Sequence, residues 1–204
     1  VKASLTERTA TEGRVVGVAA QDGKAAALVE INCNTDFTAK SEPFLALGAK
    51  AAQALLHNPN IDIAQAGEVN SNATEVAQQT GENIRIGKTA RLEAPAGGKA
   101  GLYLYGITGK IGVVMTFTGN PSEDLIKQLG GHIAFARSRL ETLLTNLRFS
   151  SVIETEPAGV PGPQPPYLNA AAVGTTEAAP TELLESLLAI ERVAAVHRLR
   201  GMYA

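Results

Sequence analysis

The spacing of hydrophobic positions changes several times along this chain, and each change marks an element. Arg14 to Ala20 and Ala25 to Asn32 are apolar runs rich in Val, Leu and Ile, separated by Gln21-Asp22-Gly23-Lys24. Asp-Gly between two such runs predicts a hairpin, because its tight turn requires φ above zero. Ser41-Glu42-Pro43-Phe44 is a helix start, after which Leu45, Leu47, Ala51, Ala52, Leu55 and Leu56 fall on one helical stripe until Asn58-Pro59 ends it. Ile84 to Leu92 alternates as a strand. Leu102 to Ile107 and Ile111 to Phe117 predict a second hairpin, and Pro121 or Ser122 opens a helix through Leu125, Ile126, Leu129 and Ile133.

A second helical pattern, Leu140, Leu143, Leu144 and Leu147, leads into an extended run, Phe149 to Thr155. Residues 157–166 hold five prolines and two glycines and predict a loop. Tyr167 to Thr175 is extended again, and Pro180-Thr181-Glu182 opens a last helix carrying Leu183, Leu184, Leu187, Leu188 and Ile190 to about Val196. Mixed helices and paired strands predict an α+β fold, a small antiparallel sheet with flanking helices followed by a further α+β segment.

Charge usage divides the chain. All eight lysines precede residue 128, whereas Arg137 to Ala204 carries six arginines and no lysine. This shift puts a domain boundary near Ala136, giving domains 1–136 and 137–204. At 204 residues the chain suits one ordinary domain or two small ones. A net charge of -2 supplies no electrostatic pull toward nucleic acid or an anionic membrane, so a protein or small-molecule partner is expected. The single cysteine, Cys33, cannot form an internal disulfide. With no long apolar run and no signal-like amino terminus, the expected location is the cytoplasm. His57, His132 and His197 stand at no metal-ligand spacing with Cys33 or a carboxylate, and Gly97-Gly98-Lys99 lacks the rest of a phosphate-binding loop. No metal and no cofactor is expected.

The most informative stretch is Glu30-Ile31-Asn32-Cys33-Asn34-Thr35-Asp36-Phe37-Thr38-Ala39-Lys40, where a strand runs into a polar corner with an acid beside an aromatic. Two readings are open. Thr35 or Asp36 caps the next helical turn while Phe37 staples it to the core. Alternatively, the ring and the carboxylate form a wedge that enters a crevice in a partner.

Arg14-Val15-Val16-Gly17-Val18 after Glu12-Gly13, Ala27 to Phe37, Gly81-Glu82-Asn83-Ile84 and Gly131-His132-Ile133-Ala134 resemble, in order, the motifs of translation elongation factor Ts, from about Thr9 to Ala136. The resemblance implies that family's core fold and a guanine nucleotide exchange activity that releases GDP from elongation factor Tu. It assigns Thr35, Asp36, Phe37, Thr38 and Ala39 to the segment that intrudes near the partner's magnesium. Thr38 stands where the family usually has Val, and the helical docking module that precedes the family's core is not matched. Short family members that carry one copy of this core pair with themselves, which implies either a homodimer formed through the sheet or residues 137–204 as the missing cover.

Phe149 to Gly159, Gln164 to Ala171 and Glu182 to Arg192 resemble the central part of hydroxymethyldihydropterin pyrophosphokinase, over about Arg139 to Arg192. That resemblance implies a partial ferredoxin-like segment, with Thr155, Pro157, Ala158, Tyr167 and Asn169 at a pterin pocket that is functional or vestigial. The chain has no Trp and no Asp after Asp124. The family's metal-binding aspartate pair is therefore missing, and pyrophosphokinase turnover is not expected. The leading expectation is the exchange factor. The alternatives are a pterin-binding or incomplete pyrophosphokinase, and a composite chain with neither activity.

Overall fold

The computed structural model describes residues 9–106, 109–150, 153–155 and 167–201. The fold mixes helices with small antiparallel sheets, as the patterning predicts. By compactness the chain divides into Val1–Ala134 and Phe135–Ala204.

In the first unit, β1 (Glu12–Ala19), β2 (Ala25–Cys33) and β3 (Arg85–Glu93) form an antiparallel sheet in the order β1-β2-β3. β1 and β2 are joined at Asp22-Gly23, and Gly23 takes the positive φ of 68° that the turn demands. In the β1–β2 register, Val16 lies opposite Val29 and Val18 opposite Ala27. These residues face α2 (Glu42–His57), whose Gly48 comes so close to Val16 and Ile31 that a Cβ there would lie 2.4 Å from Ile31 Cδ1. Phe44, Leu47, Ala51, Ala52, Leu55 and Leu56 form the buried side of α2. The other sheet face meets a second hairpin, β4 (Lys99–Leu104) with β5 (Gly112–Phe117). Leu102 packs at Gly17, and Ile126, from the first turn of the following helix, packs at Gly101.

A short α1 (Asp36–Ala39) precedes α2, and α3 (Gly67–Thr80) connects α2 to β3. The hydrophobic pattern does not predict α3, because it buries only Val69 and Val76, two positions two turns apart on a polar helix. Gly81 ends it in the left-handed conformation, φ 68°.

The helix expected from Pro121 or Ser122 and the one expected around Leu140 are a single element, α4 (Glu123–Leu143). Leu147 corrects the reading: it lies in a strand, β6 (Thr145–Phe149), which pairs with β9 (Ala172–Thr175). Leucine spacing alone could not reveal this, because the competing partner lies about 30 residues away. Asn146 turns the chain with φ 53°, a conformation asparagine tolerates. The two long extended runs are each interrupted: β7 (Ile153–Thr155) pairs with β8 (Tyr167–Asn169) as a separate ladder. α5 (Pro180–Gly201) follows. Ile107 and the proline-rich loop lie outside the described residues.

Candidate functional site

The corner lies between the last residue of β2 and the start of α2. Cys33 is fully buried, and burial pushes its thiol up to about 11, with the Glu82 carboxylate adding to the shift. The thiol therefore stays protonated and donates to the Thr35 carbonyl, Sγ to O 3.2 Å. Thr35 is the N-cap of α1: its Oγ1 accepts from the Thr38 amide at 3.3 Å. The Arg14 guanidinium on β1 donates to the Ala39 carbonyl at 3.4 Å. Ser41 does not cap α2 with its side chain but donates back to the Thr38 carbonyl at 2.8 Å.

Between these ties the chain alternates abruptly between inside and outside. Thr38 and Ala39 are buried, while Phe37 is 91 % exposed. The cap of the local reading is thus made and the staple is not. A phenylalanine gains about 1.5–3 kcal/mol from full burial, and Phe37 forgoes this in the isolated chain. Asp36, next to the ring, pairs with Lys40 at 2.5 Å, and both side chains are well exposed. The Lys40 hydrogen bond holds the Asp36 carboxyl below its ordinary range. The corner presents an aromatic ring and a charged pair to solvent on a turn four residues long.

The residue that organises this turn lies after α3. Glu82 Oε1 accepts the Thr35 hydroxyl at 2.6 Å and the Thr38 hydroxyl at 2.8 Å. Its Oε2 accepts the backbone amides of Asn34 at 2.9 Å and Thr35 at 3.0 Å. Partial burial raises the Glu82 pKa, but these four donors outweigh it and hold the carboxyl below its ordinary value. Asn34 reciprocates, its Oδ1 accepting the Asn83 amide at 2.8 Å. Thr38, the departure noted in the sequence, therefore uses its hydroxyl as one donor to Glu82. Glu82 was visible in the Gly81-Glu82-Asn83-Ile84 motif, but nothing local showed that it reaches a corner more than 40 residues away.

The second candidate set is only partly assembled. Thr155 lies opposite Tyr167 in the β7–β8 register, and Asn169 lies opposite Ile153. Pro157 and Ala158 lie outside the described residues. Among the described residues no cluster of three or more His, Cys, Asp or Glu could hold a metal ion. Among them, too, no helix is long and apolar enough to cross a membrane.

Comparison with known proteins gives the corner a family. The family model "Elongation factor TS" matches residues 34–144. The model "7,8-dihydro-6-hydroxymethylpterin-pyrophosphokinase (HPPK)" matches residues 125–203, so the two overlap along α4. Elongation factor Ts of Thiobacillus denitrificans is 37 % identical over 139 residues, covering 65 % of this chain and 46 % of that protein. The Thioalkalivibrio sulfidiphilus protein of the same name is 36 % identical over 137 residues, covering 64 % and 46 %. That of Alcanivorax borkumensis is 38 % identical over 135 residues, covering 62 % and 46 %. The chain spans about half the length of the curated relatives it matches. With more than half of its residues inside the family model, the chain belongs to the elongation factor Ts family.

Proposed function

We propose that this chain acts as a guanine nucleotide exchange factor, with Thr35 to Ala39 as the segment that enters elongation factor Tu and promotes release of GDP. The observation that carries this reading is Phe37, a large apolar side chain held in water on a turn whose next two residues, Thr38 and Ala39, are buried. A preformed projection loses little entropy on docking, and burying the ring supplies binding free energy only in the complex. Exchange requires no catalytic base. A factor that binds the GDP-free form of a GTPase more tightly than the GDP form weakens GDP binding by the same coupling free energy. In this reading the ring displaces the elements around the magnesium ion, whose charge otherwise neutralises the diphosphate. Asp36 then acts on polar groups at the same place. Such a role in protein biosynthesis is exercised in the cytoplasm.

The test is displacement of a fluorescent GDP from elongation factor Tu. The expected result is faster release that saturates with this chain and falls at least tenfold in Phe37→Ala. Release that stays at the spontaneous rate at saturating chain rejects the proposal.

A second reading, pterin binding by the carboxy-terminal unit, is favoured by the match over residues 125–203 and by the pairing of Thr155 with Tyr167. Isothermal titration with a hydroxymethylpterin tests it, and absence of heat at millimolar ligand rejects it.

A further inference from the structure

We infer that Glu82 is the positioning residue of the exchange wedge, a single carboxylate that folds the Thr35–Ala39 turn into its projecting form. The inference rests on the exchange reading for its consequence, but its physical content lies within this chain.

Both Glu82 oxygens are doubly occupied. One takes the hydroxyls of Thr35 and Thr38, and the other takes the amides of Asn34 and Thr35. A carboxylate accepts about four hydrogen bonds, so the residue is saturated by donors from one corner. The donors are of two kinds, and they fix different things. The two amides set the backbone direction as the chain leaves β2. The two hydroxyls bracket Phe37: Thr38 is turned inward to Glu82, and Thr35 both caps the helical turn and donates to the same oxygen. With Thr38 turned inward and buried, the adjacent Phe37 is directed out to solvent.

Among the described residues no other side chain gathers these four groups. Lys40 pairs with Asp36, and Arg14 reaches the far end of the turn at Ala39. Glu82 is itself placed by Gly81, which ends α3 in the left-handed conformation, and by the Thr80 hydroxyl, which accepts the Glu82 amide at 3.3 Å. Removing the carboxylate leaves two amides and two hydroxyls without their acceptor, and the turn loses its reason to hold one conformation. Glutamine keeps one carbonyl oxygen and therefore satisfies one of the two pairs of donors.

The experiment uses the whole chain. It contains no Trp, so Phe37→Trp introduces a single fluorophore on the turn. In that background Glu82→Ala is expected to lower tryptophan anisotropy. In the otherwise unmodified chain it is expected to speed hydrogen exchange of the Asn34 and Thr35 amides at least tenfold, while far-UV circular dichroism stays unchanged. Glu82→Gln should fall between the two, and Thr38→Val should change both readouts less than Glu82→Ala. Unchanged amide exchange and anisotropy in Glu82→Ala overturn the inference. If Glu82→Ala does not fold, the glutamine and valine variants decide, and equality of both with the unmodified chain overturns it. In the GDP-release assay Glu82→Ala should slow exchange, yet add nothing to Phe37→Ala. Additive losses would overturn the positioning role. If the unmodified chain releases no GDP, the exchange reading falls, while the anisotropy and amide measurements still decide whether Glu82 orders the turn.

Discussion

Phe44 and Phe149 are the same residue in two differently built units. Phe44, on α2, is fully buried between helix and sheet. Phe149, at the end of β6, is 38 % exposed and lies under the Arg137 guanidinium, 5.4 Å from the ring centroid. The contrast extends beyond one side chain. Among the residues whose side-chain burial the structure describes, every buried hydrophobic lies at or before Ala134, whereas Leu184, Leu187, Leu188 and Val193 on α5 are exposed. Both units have apolar patterning, but the first places a second layer over each face of its sheet. A stripe of leucines specifies a helix; a core requires something on the other side of it.

Truncation should separate the two units most sharply. Phe44→Ala is expected to cost about 3–5 kcal/mol in chemical denaturation, enough to remove much of the stability of a domain this size. Phe149→Ala should cost about 1 kcal/mol or less, since it gives up an exposed cation–π contact and partial burial. Equal losses would show that the carboxy-terminal unit has a core of comparable strength.

Gly48→Ala comes next in size. Alanine is favoured over glycine in a helix by about 0.5–1 kcal/mol, but the new methyl would meet Ile31 Cδ1 at 2.4 Å and Val16 Cγ2 at 2.7 Å. Overpacking costs about 1–3 kcal/mol, so a net loss of about 1–2 kcal/mol is expected. A rise in melting temperature would mean that this layer is looser than its geometry.

Glu82 adds a pH-dependent contribution to the first unit. Its folded pKa is below the ordinary value of 4.5. The stability it supplies is therefore present in full above that value and is lost as pH falls through the folded pKa. The advantage of the unmodified chain over Glu82→Gln in urea midpoint should shrink between pH 7 and pH 3. A constant advantage would mean that the carboxylate's charge is immaterial.

The lone cysteine permits the first unit to be followed by itself. Cys33 is buried with its thiol raised to about 11, and no cysteine lies beyond it. Labelling by a thiol reagent at pH 8 should be slow, and should accelerate with denaturant only when the sheet opens. Fast labelling under native conditions would contradict the packing of β2. The smallest stability effect is expected at Phe37→Ala, within about 0.5 kcal/mol, as for a surface position. A loss near that of Phe44→Ala would restore the staple reading.

What the sequence made legible was what its own neighbourhood decides. Asp22-Gly23 between two apolar runs forms a hairpin whatever surrounds it, and Thr35 caps a turn three residues away. α3 was hidden because it is polar except at Val69 and Val76. Leu147 was misleading because the periodicity of its predecessors carries through the point where the chain leaves α4 for β6. At the corner, the exposure of Phe37 depends on Thr38 being turned inward, and Thr38 is turned inward by a carboxylate 44 residues away. No local pattern contains that information.

The same separation has a consequence for timing. A chain leaving the ribosome in order can close the β1–β2 hairpin and coil α2 soon after those residues emerge. Glu82 follows Thr35 by 47 residues, which at about 5–20 residues per second is a delay of roughly 2–9 s. During that interval the turn exists as sequence without its brace. A nascent chain stalled before residue 82 clears the exit tunnel should therefore leave a tryptophan placed at position 37 mobile, and one stalled beyond β3 should hold it still.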